Sequence, residues 1–467
     1  MSAHLGCPAI LSLLLAAAVP TAATAAPSAA DFDAIAARAA QARTAPGFAF
    51  AVVRSGAVVY ARGFGVADVA RGEPVTPSTR FAIGSVSKEF TAAAILQLRD
   101  ARKLQLDGPL STYLPQFPNA QTITLRMLLN HDSGLHNYPN TNEHPWPVTG
   151  MIDPNALFAI MATDAPDFAP GARYGYSNTD YAALAGVVTR ASGVPYGTYV
   201  VDRILGPLGM SSSGSGYAAQ RQGTATPYTG AAPFTPAQPP ISLDLFYGAG
   251  SIVSNVNDLV RWDVALMHGT LLGAASVHDL WTPGMLPNGA PIPYAMGFVP
   301  QTLYGHREVW HNGYSPGAGG YCYNAIFPDD DLAVIVLSNG AAFQGTPESM
   351  VADVLAAYFP GTPTAGDATA ALAQRLLHDL RAGDIARDTG DLTPAMQAAL
   401  TPAVVAQTRD AYFPLGGDPT TFALASRTDI GGGLVQYTYR ATFANGLAKD
   451  VVMTLDSGGK VAGFFVR

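Results

Sequence analysis

The sequence predicts a protein of the α+β class, and three observations support this prediction. Two strand-like runs joined by a hairpin turn occupy residues 47–67, and a second series of strand-like runs occupies residues 309–339. Several helical segments lie between these two groups, and the most apolar of them follows Gly84. Beyond residue 366, two helical stretches precede four strand-like runs, which predicts a second, smaller α+β unit.

Residues 1–25 predict a secretion signal. An apolar stretch from Ala9 to Val19 precedes Pro20 and the A-x-A cleavage pattern Ala23-Thr24-Ala25. This stretch is too short to span a bilayer, which requires about 20 apolar residues. We therefore expect an exported protein, periplasmic or extracellular, with no integral membrane span after removal of the signal.

Charge and cysteine content restrict the function classes. Charged residues make up 13% of the 467 residues, against about 25% in an average globular protein. The net charge is -8 and no cluster of Lys and Arg occurs, so nucleic acid is not an expected partner. Loss of the signal would leave Cys322 as the only cysteine, which excludes an internal disulfide and predicts a small buried hydrophobic residue.

The mature chain is predicted to begin with a helix and a hairpin. A first helix is expected over Asp31–Thr44. The runs Gly47–Arg54 and Ala57–Ala67 flank Ser55-Gly56, a pair typical of a hairpin turn.

The segment that follows contains the strongest candidate for chemistry. Gly84 permits a tight backbone turn, and the Ala- and Leu-rich residues after it predict a helix that runs to about Leu104. Ser85 then lies at the helix start, where free backbone amides favour negative charge on its oxygen. Lys88 follows one turn later on the same face, where a neutral amine could accept the serine proton.

The S-x-x-K spacing has a structural alternative. Ser85 could be an ordinary helix N-cap, with Lys88 in solvent in the first turn. The same spacing also arises by chance, because Ser457-Gly458-Gly459-Lys460 repeats it within a Gly-rich turn.

Two later segments present polar side chains at helix ends. His131 ends a short helix within Ile123–Leu135, and it could be catalytic or simply bonded to nearby backbone. Tyr176 and Asn178 precede a helix over Ala182–Ser192, where the phenol could exchange a proton and the amide could bind a polar substrate group. A structural role at the helix entry is the alternative.

A strand series predicted over Val309–Tyr314, Tyr321–Phe327 and Leu332–Asn339 contains His311. This histidine could contact substrate or could be an ordinary strand-end residue. Residues 136–150 and 211–240 are rich in turn-forming residues, and we expect both to be long loops beside the site that influence substrate choice.

The order Ser85-x-x-Lys88, Tyr176-Ser177-Asn178 and His311-Asn312-Gly313 resembles the serine beta-lactamase and penicillin-binding protein superfamily. The resemblance is closest to its class C beta-lactamase-like branch, which includes esterases and D-amino-acid peptidases. It covers about Asp31 to Tyr358 and includes the sequences that connect the three motifs.

The resemblance implies an antiparallel sheet flanked by helices, with a helical subdomain and the site between them. It implies Ser85 as nucleophile, Lys88 as general base and Tyr176 as a proton-exchanging residue. Substrate contacts are implied for Asn178, His311, Asn312, Gly313 and Tyr314, and the backbone N–H groups of Ser85 and Tyr314 are expected to form the oxyanion hole. Metal and other cofactors are not required by this chemistry.

His311 departs from the family pattern, which has a K-T-G triplet at this point. Exchange of lysine for histidine removes a fixed positive charge at neutral pH. We therefore expect an esterase or amidase that acts on small neutral acyl substrates. The alternatives are a D-amino-acid peptidase or class C-like beta-lactamase, and a non-catalytic binder of peptidoglycan-type ligands.

The predicted domain organisation has four parts: a signal peptide at 1–25, a hydrolase domain at 28–359, a linker at 360–366 and a small C-terminal α+β domain at 367–467. In the C-terminal part, helices are expected at about Ala368–Ala382 and Thr393–Arg409. Strands are expected at about Phe422–Arg427, Gly433–Phe443, Ala448–Leu455 and Val461–Val466. The partner of this domain is not predicted.

Overall fold

The computed structural model describes most of the chain from Ala26 to Val466. The described ranges are 26–139, 144–237, 241–303, 306–315, 317–359, 368–382, 385, 390–401, 404–405, 419, 421–431, 434–443, 447–456 and 459–466. The predicted signal peptide at 1–25 and the predicted linker at 360–366 lie outside these ranges.

Helices and strands alternate irregularly along the chain. The helices are α1 Ala29–Gln41, α2 Ser87–Asp100, α3 Leu125–Asn130, α4 Pro154–Met161, α5 Asn178–Ser192, α6 Tyr196–Val200, α7 Gly216–Arg221, α8 Tyr247–Gly250, α9 Val256–Met267, α10 Ala274–Trp281, α11 Thr346–Tyr358, α12 Ala368–Ala382 and α13 Pro394–Ala399. The strands are β1 Gly47–Arg54, β2 Ala57–Asp68, β3 Glu73–Pro74, β4 Phe81–Ala82, β5 Gly214–Ser215, β6 Tyr228–Thr229, β7 Thr235–Pro236, β8 Ile252–Ser254, β9 Val299–Leu303, β10 His306–Tyr314, β11 Tyr321–Phe327, β12 Leu332–Ser338, β13 Thr421–Gly431, β14 Leu434–Thr442, β15 Ala448–Leu455 and β16 Val461–Val466.

The main sheet has seven strands in the order β3-β2-β1-β12-β11-β10-β9, and its recorded pairings are antiparallel. Every residue of its central strands β1, β11 and β12 is buried except Arg54 at the end of β1, because both faces of the sheet are covered. Alternate residues of β1 therefore enter two different cores. Ala49, Ala51 and Val53 face the inner core, whereas Phe48 and Phe50 face the outer core.

The inner core determines the position of the candidate site, because it anchors α2, the helix that contains Lys88 and begins just after Ser85. Residues of α2 such as Phe90 and Ile95 are fully buried there, together with residues of α5 and α9. The helix is shorter than predicted: it ends at Asp100, and the residues around Leu104 lie in turns. A 3₁₀ turn over Gly84–Val86 leads directly into it.

The outer core joins α1 and α11 to the C-terminal unit. Phe32 of α1 and Val351 of α11 belong to the same buried cluster as Leu377 of α12 and Tyr439 of β14. The C-terminal sheet has the order β13-β14-β15-β16, and its strands lie close to their predicted positions. Within the predicted helix at 393–409, the described residues are helical at Pro394–Ala399 and at 404–405.

The predicted long loop at 211–240 is wrong in part. The described residues there contain β5, α7, β6 and β7. The reason is a long-range interaction, since Arg80 donates hydrogen bonds to the carbonyl oxygens of Ser212, Ala219 and Gly223. This partly buried guanidinium, which satisfies three carbonyl groups, holds the segment against the strand β4.

Within the described ranges, no helix is long and apolar enough to cross a membrane. The same ranges contain no cluster of His, Cys, Asp and Glu suited to hold a metal ion. Cys322 is a free, buried cysteine, as its strand-like surroundings predict.

Candidate active site

Ser85 lies where the 3₁₀ turn before α2 meets strand β10. Gly84 has a φ of 54°, and a Cβ atom there would lie 2.5 Å from the backbone nitrogen of Tyr314. On the opposite side, a Cβ atom on Gly313 would lie 1.8 Å from the carbonyl oxygen of Ile83. Two glycines thus permit close approach of the two backbones. This contact brings the peptide N–H groups of Ser85 and Tyr314 into the same small region.

Lys88 is fully buried and its amine contacts the serine. Its Nζ lies 3.0 Å from Ser85 Oγ, 2.8 Å from Asn178 Oδ1 and 2.9 Å from the carbonyl oxygen of Ala249. Burial lowers the pKa of this amine well below its ordinary value, although the Asp180 carboxyl opposes the shift. The neutral amine can donate to the two oxygen acceptors and still offer its lone pair to Ser85.

Tyr176 completes the group around Ser85. Its phenol donates a hydrogen bond to Ser85 Oγ at 2.9 Å. Burial raises the pKa of the phenol above its ordinary value, so Tyr176 is neutral at physiological pH. Ser85 Oγ therefore accepts a hydrogen bond from Tyr176 on one side and faces the Lys88 amine, a proton acceptor, on the other, as a proton relay requires.

Asn178, the first residue of α5, orients both the lysine and the cleft wall. Its side chain accepts a hydrogen bond from Lys88 and donates one to the carbonyl oxygen of Tyr138 at 3.0 Å. Its backbone N–H donates to Asn137 Oδ1 at 2.7 Å. Asn137 and Tyr138, in the described part of the predicted loop at 136–150, are thereby held beside the nucleophile.

His311 lies behind the relay and is neutral. Its Nε2 is 2.9 Å from the hydroxyl of Tyr294, and its ring centroid lies 6.3 Å from that of Tyr176. Burial, together with the nearby Lys88, lowers the pKa of His311 to about 3. Position 311 therefore supplies no positive charge at neutral pH.

Asn312 lies on the other face of the strand from this group. Its amide donates to the Tyr321 hydroxyl at 2.8 Å, and that hydroxyl donates to Glu348 Oε1 at 2.6 Å. This side chain faces the C-terminal unit because residues alternate along a strand. The structure thus brings together Ser85, Lys88, Tyr176, Asn178, Gly313, Tyr314 and, behind them, His311, but it separates the Asn312 side chain from them.

A cleft of about 230 Å³ opens beside Ser85. Its described lining residues are uncharged: Ser85, Asn137, Tyr138, Pro139, Asn178, Phe246, Ala249, Gly250, Tyr314 and Ser315. No described residue of the 211–240 segment is among them. The cleft therefore offers aromatic and amide groups, with no described charged side chain in its lining.

Several of these residues were not predicted. Phe246 and Ser315 are separated widely in sequence and meet only through the fold, whereas Asn137 belongs to the loop at 136–150 that was expected beside the site. The pair of His131 and Asp180 is another example, with His131 Nδ1 2.8 Å from Asp180 Oδ2 inside the protein. The left-handed φ of 62° at His131 marks the helix end, but the sequence gives no sign of its partner.

The model of the Beta-lactamase family matches residues 32–358. PbpX of Bacillus subtilis (strain 168), named as a penicillin-binding protein, is 33% identical over 62% of this chain and 69% of its own length. The D-aminopeptidase of Brucella canis is 28% identical over 63% of this chain and 56% of its own length. This chain therefore matches little more than half of the D-aminopeptidase.

Among solved structures, the octameric penicillin-binding protein homologue from Pyrococcus abyssi has a TM-score of 0.60 at 22% identity. The match covers 92% of this chain and 94% of that chain. Because so little of this chain is left out, the matched fold includes much of the C-terminal unit.

Proposed function

This chain belongs to the Beta-lactamase family and is a serine hydrolase, and from this premise we propose that it forms an acyl-enzyme on Ser85. We further propose that the protein is exported and that its substrates are small neutral esters or amides. Ser85 is the nucleophile, Lys88 the general base and Tyr176 the residue that exchanges protons with the leaving group. The main support for neutral substrates is the uncharged lining of the cleft.

In the first step, Ser85 Oγ attacks the substrate carbonyl carbon and its proton passes to Lys88 Nζ. The 3.0 Å separation of these two atoms suits direct transfer. The two oxygen acceptors of Lys88 hold its N–H groups, so that the lone pair faces the serine. Negative charge that develops on the carbonyl oxygen is stabilised by the N–H groups of Ser85 and Tyr314.

In the second step, the tetrahedral intermediate collapses and the bond to the leaving group breaks. Tyr176 donates its proton to the leaving alkoxide or amine, and the proton that Lys88 took from Ser85 then passes to the Tyr176 oxygen. Water then attacks the acyl carbon and gives one proton to Lys88. The bond between Ser85 Oγ and the acyl carbon breaks, Oγ takes the proton back from Lys88, and the acid leaves. No net proton is stored by the enzyme over the cycle.

The uncharged cleft supports neutral substrates. A carboxylate taken from water into the cleft would lose hydration without a described cation to replace it. His311 is neutral at the position where the family pattern has lysine. This favours esters and amides over the free carboxylates of beta-lactams and D-Ala-D-Ala peptides.

A D-amino-acid peptidase is the second candidate, and the similarity to the Brucella D-aminopeptidase favours it. The uncharged cleft argues against it, because an amino-terminal ammonium also lacks a described partner there. A beta-lactamase, or a non-catalytic binder that uses the same cleft, is a weaker candidate. The neutral Lys88 and the Tyr176 hydrogen bond argue against a role in binding alone.

A matched pair of substrates tests the proposed class. An N-acyl-D-alanyl thioester with a methyl ester at the far carboxyl group is compared with the same compound bearing the free carboxylate. We expect kcat/KM to be at least about tenfold higher for the methyl ester, which corresponds to about 1.4 kcal/mol. Equal values, or faster turnover of the carboxylate or of a chromogenic cephalosporin, would favour the peptidase or lactamase alternative.

A further inference from the structure

Three ionisable side chains share one buried region behind the nucleophile. Lys88, His131 and Asp180 are each 0% exposed. His131 Nδ1 lies 2.8 Å from Asp180 Oδ2, and Ser133 Oγ donates a hydrogen bond to the other carboxyl oxygen. The His131 ring packs on Tyr176 with centroids 4.4 Å apart, and Lys88 Nζ lies 4.8 Å from the Tyr176 ring centroid. The histidine–carboxyl pair therefore borders the proposed relay directly.

Burial restricts how these three groups share protons. An uncompensated charge inside a protein is costly, so the arrangement with zero net charge is favoured. Two such arrangements exist. In one, a proton resides on Lys88 opposite an Asp180 carboxylate; in the other, the His131–Asp180 pair holds that proton and Lys88 is neutral. Only the second arrangement provides a base for Ser85.

We propose that the His131–Asp180 pair holds this proton and thereby keeps Lys88 in the neutral, proton-accepting form. The inference rests on the proposed function, because it explains how Lys88 is available as the base. His131 and Asp180 are positioning residues, since they act on Lys88 through charge and neither contacts the reacting atoms.

The hydrogen bonds favour this placement of the proton. The partners of Lys88 Nζ in the described residues are a hydroxyl, an amide oxygen and a peptide oxygen, all uncharged. An ammonium there would have no anion within hydrogen-bond range. In contrast, the short contact between His131 Nδ1 and Asp180 Oδ2 accommodates a proton on either atom.

Burial raises the pKa of Asp180 and lowers those of Lys88 and His131. These shifts agree with the second arrangement, in which Lys88 is neutral and the proton resides on the His131–Asp180 pair. Burial also raises the pKa of Asp132 to about 6, so this neighbouring carboxyl is ionised at neutral pH. The other titratable groups that face the His131–Asp180 pair are uncharged at neutral pH. They are Tyr174 and Tyr176 before α5, Tyr181 on α5, Tyr294 before β9 and His311 on β10.

Two conservative variants separate the charge role from a packing role. His131→Asn is suited to the left-handed φ of 62°, which asparagine tolerates well, and it can still donate to Asp180. It cannot hold an additional proton. Asp180→Asn keeps the shape of the carboxyl group and removes its charge.

The measurement is the rate at which a neutral p-nitrophenyl phosphonate diester modifies Ser85, recorded between about pH 6 and about pH 10. In His131→Asn the proton returns to Lys88 opposite Asp180, so we expect the midpoint of the acid limb to rise by about one pH unit or more. In Asp180→Asn the anion that favours the ammonium is absent, so we expect the midpoint to fall. The double variant should resemble Asp180→Asn.

Midpoints that do not move, or that move in the same direction in both single variants, would overturn the inference. If His131→Asn does not fold, as judged by circular dichroism, Asp180→Asn alone decides: the absence of a downward shift overturns it. Failure of the proposed function looks different, because the wild-type protein would not be modified or Ser85→Ala would be modified equally. In that case the inference falls with it.

Discussion

His311 shows how one residue decides the electrostatics of the cleft. The imidazole is buried against Tyr294 and next to Lys88, and both burial and the lysine disfavour its charged form. A lysine at the same position would carry a longer chain and a higher intrinsic pKa. The neutral histidine therefore keeps the strand geometry while it removes a cation from the site.

His311→Lys should extend the substrate range toward carboxylates. An ammonium near the cleft would compensate the carboxylate charge, so we expect the ratio of kcat/KM for the free carboxylate to that for its methyl ester to rise at least about tenfold. His311→Gln is the matched neutral control and should leave the ratio unchanged. A ratio that rises equally in both variants, or in neither, would show that charge at position 311 does not select the substrate.

Single residues differ in how far the sequence predicts them. Ser85 and Lys88 are one helical turn apart, so their proximity follows from local geometry. Tyr176 was a candidate from its position before a predicted helix, the resemblance supported that prediction, and the structure places its phenol against Ser85. The His131–Asp180 contact joins two segments that only the packing of α3 against α5 brings together, and no local pattern contains that information.

At the scale of elements, the junction between the 3₁₀ turn and β10 positions the proposed oxyanion hole. Backbone approaches backbone here because Gly84 and Gly313 have no side chains. The turn is anchored further by β4, which pairs with β8 in a small separate sheet. The positions of the Ser85 and Tyr314 N–H groups therefore depend on the 3₁₀ turn and on β10, which lie far apart in the sequence.

Gly313→Ala should disrupt this junction. The added methyl group would lie 1.8 Å from the carbonyl oxygen of Ile83, so the strand must move away. We expect a loss of about 1–3 kcal/mol in the free energy of unfolding, measured by urea denaturation, and a fall in kcat of at least about a hundredfold. Gly273→Ala is a matched control, because a methyl group there meets no atom within 4 Å. Wild-type stability and rate in Gly313→Ala would contradict the proposed geometry.

The elements were predicted better where their signals are local. The hairpin of β1 and β2, the strands β10 to β12 and most C-terminal strands follow from short strand-like runs bounded by turn residues. The 211–240 segment was misjudged, because its order derives from Arg80, which lies far away in sequence. The His311-Asn312-Gly313 motif also did not predict that the Asn312 side chain points away from Ser85, because a motif does not show which of its residues lie on which face of the strand.

At the scale of the whole molecule, the C-terminal unit covers the outer face of the catalytic sheet. Its buried residues Leu376, Leu377, Tyr439 and Met453 lie in one cluster with residues of α1, α11 and the main sheet. A chain of hydrogen bonds from Asn312 through Tyr321 to Glu348 borders the same junction. These contacts predict a structural role for the unit.

Removal of the residues after 359 should destabilise the hydrolase part. Exposure of the apolar outer core would cost on the order of 5 kcal/mol, because each fully buried large apolar side chain contributes about 1.5–3 kcal/mol. We expect a lower melting temperature and a greater tendency to aggregate, measured by differential scanning calorimetry and light scattering. An unchanged melting temperature would indicate that the C-terminal unit is an independent appendage.

The central claim is that Ser85 is an activated nucleophile, and the intact mass of the purified protein tests it most directly. The wild-type protein and Ser85→Ala are each treated with the neutral p-nitrophenyl phosphonate diester. We predict a single covalent adduct on the wild-type protein and none on Ser85→Ala. An unmodified wild-type protein, or an adduct that persists in Ser85→Ala, would contradict the proposed mechanism.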